Sequence, residues 1–404
     1  MQPAPSQLSA DLTSRGGADS ARVVAAIRAV LPSPAILPLH EPIFVGREWD
    51  YIRECLDTGW VSSVGAFVDR FEAMLAERCA VQRAVVMVNG TAALQVALQL
   101  VGVEPDDEVL VPSLTFVATA NAVSHCGAIP HFVDVEALTL GIDPAALRAY
   151  LAANTERKSG RFFNPRTGRR ISAIVPVHVF GTSVDMEPLL EVAKEFELPV
   201  VEDATEALGS TYKGRPCGSL GSIGVLSFNG NKIITTGGGG ALLTDDTAIA
   251  DRAKHLTTTA KLPHQWAYRH DAVGYNYRLP NLNAALGCAQ LERLDDFVAA
   301  KQKLAARYRT SFHDVAGCQI FQAPPFASSN YWLVALILDR PEPARRDEIL
   351  QAAHAAGILA RPAWEPLHRL QPYHDCPAMP LSVTENLVDR IISLPSGPAL
   401  AGLR

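Results

Sequence analysis

Two residues in this chain have the types and the setting for covalent chemistry on a carbonyl group. Lys232 stands in SFNGNKIITTGGGGALLTDD, residues 227–246, between a Ser-Phe strand end and four consecutive glycines. Upstream, LPVVEDATEA (198–207) is an apolar run that carries Asp203 at its end. A lysine amine can form a Schiff base with a carbonyl carbon. A carboxylate at the carboxyl end of a buried strand faces the crevice where open α/β sheets bind ligands. There it can pair with a protonated ring nitrogen. An amine and an acid so disposed are what pyridoxal 5'-phosphate (PLP) needs. Each residue also has a plainer reading: Lys232 as a solvated loop lysine, Asp203 as a helix N-cap for the residues from 204. The neighbours of Lys232 are Asn, Gly and Ile, with no other charge nearby, which weighs against the first.

A phosphate needs its own cradle. NGTAAL (89–94) lies at a strand-to-helix junction, with Thr91 as the expected N-cap and Gly90 allowing close backbone approach. The free N–H groups of a helix N-terminus form an anion site. The glycines at 237–240 are followed by no GK[ST] and make no Walker loop. GSLGSIG (218–224) imitates a dinucleotide fingerprint but precedes a strand, where that fingerprint should open a helix.

The elements that must carry these residues follow from apolar patterning. Short apolar runs at 84–89, 107–113, 129–135, 172–180, 199–204, 223–228 and 239–246 read as strands. Helical periodicity fills 91–103, 115–127 and 186–197 between them, which predicts a mostly parallel sheet covered by helices. Earlier helices are expected at 21–31, in the later part of 40–63 up to Gly59, and at 70–81. Residues 283–312 read as one long helix leading into a smaller α+β region. That region holds a strand at 331–338, a helix at 345–357 and a helix-to-strand passage at 384–395. The division expected is a flexible leader and helix (1–36), a large cofactor-binding domain (37–282) and a small domain (283–404).

The 404 residues carry 36 basic and 42 acidic side chains, a net charge of −6, and are 48% hydrophobic. That supports a large core and no nucleic-acid footprint. The basic stretch RKSGRFFNPRTGRR (157–170) reads as an exposed loop. Seven cysteines, at 55, 79, 126, 217, 288, 318 and 376, form no CxxC pair. They imply reduced thiols in a cytoplasmic protein, with no metal site. No apolar run reaches membrane-spanning length, and the first twenty residues lack a signal-peptide core.

NGTAAL, PSLTFVATANA, VEDATEALGSTYKGRPCGSLG, SFNGNKIITTGGGGALLTDD and VGYNYRLPNLNAALG together resemble the DegT/DnrJ/EryC1/StrS sugar aminotransferases, over about residues 37–400 in the expected order. The resemblance implies the PLP-dependent transferase fold of type I: an α/β large domain with a mostly parallel central sheet covered by helices, plus a smaller C-terminal α+β domain. It also implies a homodimer with shared active sites. Under it, Lys232 is the Schiff-base lysine and acid/base, Asp203 pairs with the pyridine nitrogen, and Phe116 stacks on the ring. Ordinary core packing is the alternative for Phe116. Gly90, Thr91 and Ser227 match phosphate-binding positions. Arg278 matches the position reaching the phosphate from the partner subunit, with Asn276 as a second candidate. A structural role for either in that turn stands beside this.

One departure concerns Glu206, beside the cofactor, where many members have His or Gln. The Glu form, with SFNGNKIITT, is similar to the subgroup that aminates UDP-linked 4-keto-6-deoxy-N-acetylhexosamines. PLHEPIFVG (38–46), VSSVGAFVDRFE (61–72), RPAWEPLH (361–368) and LPSG (394–397) point the same way. The reaction so implied takes an amino group from L-glutamate and places it on C4 of a UDP-linked sugar, for a surface glycan or nonulosonic acid. The alternatives are a GDP-4-keto-6-deoxymannose enzyme of the perosamine type, a TDP-sugar enzyme and, from another class, a non-catalytic PLP-binding regulator. Arg361, His368, Tyr275 and His178 are candidates to hold the nucleotide, and His178 reads first as a core histidine.

Overall fold

A computed structural model of the chain describes residues 18–31 and 36–403. The expected leader lies mostly outside the described residues. Twelve helices are used below: α1 (Ser20–Val30), α2 (Glu48–Thr58), α3 (Ala66–Arg78), α4 (Gly90–Leu100), α5 (Ala118–His125), α6 (Pro144–Asn154), α7 (Met186–Glu195), α8 (Thr247–Thr257), α9 (Asn281–Leu291), α10 (Leu294–Phe312), α11 (Pro343–Ala355) and α12 (Ser382–Val388).

The main sheet is built from β1 (Arg83–Met87), β2 (Glu108–Pro112), β3 (Ile129–Val133), β4 (Ile171–Ile174), β5 (Val201–Asp203), β6 (Ile223–Ser227) and β7 (Gly240–Thr244). One part runs β1-β7-β6-β5 and the other β3-β2-β4. Parallel bridges Ile174–Val200 and Val177–Asp203 join β4 to β5, so the spatial order is β1-β7-β6-β5-β4-β2-β3. Only β7 runs against its neighbours, pairing antiparallel with β1 and with β6.

Strands covered on both faces must be apolar at successive positions, and here alternate residues enter different cores. Ala84 and Val86 join Phe71, Phe228 and Leu243 on one side. Val85 and Met87 join Leu94, Val111 and Leu242 on the other. Helices α2, α3 and α9 close the first side, and α4, α5 and α8 the second.

A second sheet, antiparallel, has the order β8-β9-β11-β10, from β8 (Cys318–Ile320), β9 (Val334–Leu338), β10 (Arg361–Pro362) and β11 (Ile391–Leu394). One face packs on α1, α10 and α11 through Ile27, Tyr308, Ile349 and Leu336. The other contributes Ala335, Ile337 and Ile391, with Trp332 just before β9, to a core shared with Leu114, Val177 and Phe180 of the main body. That shared core sets Trp332 with the segment that follows β4.

Four expectations are corrected. The stretch 283–312 is two helices, broken at Glu292–Arg293, because α9 packs with α2 and α3 while most of α10 packs with α1. The strand expected through 172–180 ends at Ile174. Pro176 has no N–H to donate, and a short 3-10 turn follows at Val179–Gly181. Residues 157–170 contain a small hairpin, Glu156–Lys158 with Arg161–Phe163, which remains mostly exposed. The helix expected at 70–81 spans Ala66–Arg78. Among the described residues, no helix is long and apolar enough to cross a membrane.

Candidate active site

The carboxyl ends of β1, β2, β5 and β6 open into one cavity of about 320 Å³. Gly90, Thr91, Phe116, Asp203, Glu206, Ser227 and Lys232 all line it. So do Asn89, Thr119, Asn231, Trp332 and Trp364, which sequence reasoning did not single out.

The expected N-cap at Thr91 is corrected to Asn89. The Asn89 Oδ1 accepts from Ala92 N–H at 2.8 Å, and the Asn89 carbonyl accepts from Ala93 N–H at 3.2 Å. Gly90 and Thr91 are therefore the first helical residues, where amides have no intrahelical acceptor. Asn ranks with Asp and Ser as an N-cap, so the type of residue 89 was the available signal. A Cβ at Gly90 would lie 3.1 Å from Ser227 Cβ and 3.1 Å from Thr205 Cγ2, so the three residues converge closely. Behind them, Gly240 passes so near that a Cβ there would meet the Asn89 carbonyl carbon at 2.5 Å. This is the tight path that the glycine run permits.

Asp203 is 3% exposed, at the end of β5. Its Oδ2 accepts from Thr119 Oγ1 at 2.7 Å, and its Oδ1 accepts from Thr205 N–H at 3.2 Å. No helix follows it, which removes the N-cap reading in favour of a short turn. Phe116 is 51% exposed and lines the cavity, so it is not a core residue.

Lys232 lines the same cavity. Its Nζ lies 3.5 Å from Glu206 Oε1 and 4.1 Å from the centre of the Trp332 ring. It is a largely buried lysine with a carboxylate and an aromatic face for partners, so the solvated-loop reading falls. Glu206 Oε2 accepts from Phe180 N–H at 2.8 Å. Burial pushes the Glu206 carboxyl up to about 7, opposed chiefly by the charge of Lys232.

The remaining candidates lie elsewhere. Arg278 is buried beside β1 and pairs with Glu72 at 2.5 Å, while its Nη1 has no partner. Asn276 is exposed and bridges Thr258. Neither lines the cavity of its own chain. His178 is a fully buried core histidine: Nδ1 accepts from Val184 N–H, and Nε2 pairs with Glu202 at 2.9 Å. The Glu202 carboxylate also accepts from the amides of Gly218, Leu220 and Gly221, which gives the GSLGSIG stretch a structural purpose. His368 is held between Ser113 Oγ (2.7 Å) and Glu385 Oε1 (2.6 Å), and burial lowers its pKa. Tyr275 stacks on Tyr277 and bonds Gln99; Arg361 is exposed.

The cavity thus combines an amide-lined helix start, a buried carboxylate, an aromatic face and an amine. These match the phosphate, ring nitrogen, ring face and aldehyde of PLP. The fold is that of the PLP-dependent aminotransferases of fold type I. The chain belongs to the DegT/DnrJ/EryC1/StrS aminotransferase family, whose profile matches residues 43–403. It is 40% identical, over 85% of its length and 88% of the relative's, to a GDP-perosamine synthase of Caulobacter vibrioides. It is 39% identical, over 89% of its length and 90% of the relative's, to the putative pyridoxal phosphate-dependent aminotransferase EpsN of Bacillus subtilis. Among solved structures, the aminotransferase TlmJ of Streptoalloteichus hindustanus superposes with a TM-score of 0.81 at 29% identity, covering 90% of this chain and 94% of that one.

Proposed function

We propose that this aminotransferase moves an amino group from L-glutamate to C4 of a nucleotide-linked 4-keto-6-deoxyhexose. The observation that carries the reading is the meeting of Lys232 and Asp203 in one cavity at the start of α4. Bound PLP supplies an electron sink that lets an amino group leave one carbon and join another. In this reading the amides of Gly90 and Thr91 and the Ser227 hydroxyl bind the phosphate. Asp203 holds a proton on the ring nitrogen, and Thr119 orients Asp203. Phe116 covers one ring face and excludes water there. Lys232 Nζ carries protons between the reacting carbon and nitrogen positions.

A GDP-linked sugar stands first as substrate, since relatives at 40% and 36% identity are named GDP-perosamine synthases. This moves the perosamine-type alternative ahead of the UDP-linked N-acetyl sugar. The UDP reading keeps the support of Glu206 and of PLHEPIFVG, which packs on LPSG through a 2.7 Å bond from Ser396 N–H to the Leu39 carbonyl. We further propose a cytoplasmic homodimer. Exposed Trp49, Trp60, Val64, Trp266 and Tyr268 support an apolar subunit contact, and the Arg278 Nη1, which has no partner within its own chain, is available to a phosphate held by the partner.

Absorbance of the purified holoenzyme tests the reading. L-Glutamate should bleach the band of the lysine-bound cofactor, and the GDP-4-keto-6-deoxy sugar should restore it. Restoration by the UDP-linked N-acetyl sugar alone would reverse the order of substrates. A band indifferent to glutamate would favour a non-catalytic regulator.

A further inference from the structure

Lys232 lies in the irregular segment between β6 and β7, where no helix or strand fixes its long side chain. A free lysine side chain carries about 2 kcal/mol of rotamer entropy, so a reacting amine there needs support from elsewhere. Support comes from two sides. Trp332, 5% exposed, places its ring beneath the amine, and its Nε1–H donates to the carbonyl of Asn231, the residue before Lys232, at 2.7 Å. Glu206 faces the amine with Oε1 and is itself fixed through Oε2 by the Phe180 amide. Phe180 adopts φ +55°, an uncommon backbone for a non-glycine residue. Asn330 ties the two supports together. Its Oδ1 accepts from Trp332 N–H at 2.7 Å, and its Nδ2 donates to the Glu206 and Leu208 carbonyls at 2.9 Å.

We propose that Glu206 and Trp332 are positioning residues that clamp the Lys232 amine at the cavity wall, and that Glu206 accepts the proton Lys232 sheds before its nitrogen can act as a nucleophile. The step is a proton transfer only. An N–H bond of the ammonium breaks and an O–H bond forms on Glu206 Oε1, leaving a neutral amine and a neutral carboxylic acid. The 3.5 Å spacing is typical of such pairs before a ligand tightens them. Burial gives Glu206 a proton affinity near neutrality, so the transfer needs no extreme pH. The other titratable groups nearby are Asp203, which favours a protonated Glu206, and Lys301 and the His40 ring, both pushed toward their neutral forms by burial. The inference rests on reading Lys232 as the reacting lysine.

Apoprotein is labelled with acetic anhydride from neutral to alkaline pH, and the Lys232 peptide is quantified against surface lysines by mass spectrometry. In Glu206→Gln the ammonium loses its anion, and the labelling midpoint of Lys232 should fall by about one pH unit. Glu206→Asp should recover part of the shift. Trp332→Leu should shift the midpoint less and Trp332→Phe should restore it. The rate at which apoprotein captures PLP should lose its inflection near neutral pH in Glu206→Gln and keep it in Trp332→Phe. Unmoved midpoints in Glu206→Gln and Trp332→Leu overturn the clamp. If Glu206→Gln does not fold, the Glu206→Asp and tryptophan series decides by the same midpoint. Parent apoprotein that labels as predicted but gains no visible band with PLP would instead count against the functional reading.

Discussion

The Thr119 hydroxyl donates to Asp203 Oδ2 over 2.7 Å, joining the first turn of α5 to the carboxyl end of β5. Both groups are buried, so the carboxylate depends on this donor to hold its direction. Thr119→Val keeps the shape and removes the hydroxyl. Loss of a buried donor costs about 1–3 kcal/mol, and PLP should dissociate about 10-fold or more faster, as read from release of the cofactor during dialysis. Asp203→Asn removes the charge itself. Turnover should fall by roughly 10²–10³-fold, the equivalent of losing one partner of a buried ion pair. Parent-like turnover in Asp203→Asn would refute its pairing with the ring nitrogen.

Lys232→Ala should abolish transamination while the protein stays folded. General acid–base help alone is worth about 10²–10⁴-fold, and the covalent role adds to it. The side chain contributes one ion pair and one aromatic contact to the fold. The circular dichroism spectrum should therefore match the parent. An active alanine variant would sink the assignment.

Glu206 makes the apoprotein sensitive to pH. Its carboxyl is raised from 4.5 to about 7 in the folded state, so folding favours the protonated form. That contribution is fully present below about pH 4.5 and is lost as pH rises through about 7. Ionised Glu206 then costs the fold roughly 3 kcal/mol, from 1.36 kcal/mol per pKa unit over the rise from 4.5 to about 7. Urea unfolding should find Glu206→Gln more stable than the parent at about pH 8, with the advantage shrinking toward about pH 5. Equal pH profiles for the two proteins would contradict the burial argument.

Gly240→Ala tests the phosphate cradle from behind. Its Cβ would meet Asn89 C at 2.5 Å and Gly90 N at 2.6 Å, both backbone atoms that cannot rotate aside. Overpacking of this kind costs about 1–3 kcal/mol. Displacement of Gly90 should also lower the PLP content of the purified protein. Parent-like melting together with full cofactor content would show that the close approach is not needed.

Much of this protein was legible locally. Strand runs such as AVVM and VVED declared themselves because strands buried on both faces admit few polar residues. Asp203 and Gly90 could be nominated because they sit at strand ends, where sheets of this kind place their ligands, Lys232 because its neighbours carry no charge, and Ser227 through the family resemblance. Hydrophobic period, strand length and residue type are properties of a few neighbouring residues, and the amino-acid sequence by itself determined them. Tertiary structure decided the rest. Trp332 stands 100 positions from Lys232, just before a strand of the second sheet, and no local pattern says that its ring will lie beneath that amine. Leu291-Glu292-Arg293-Leu294 holds no glycine or proline, yet the helix breaks there because its two halves belong to different cores. Arg278 sits in a motif that suggests phosphate, and only the fold brings Glu72 within 2.5 Å of it. Partners such as these are selected by sheet order and by which faces pack together, and those arise from the whole chain at once.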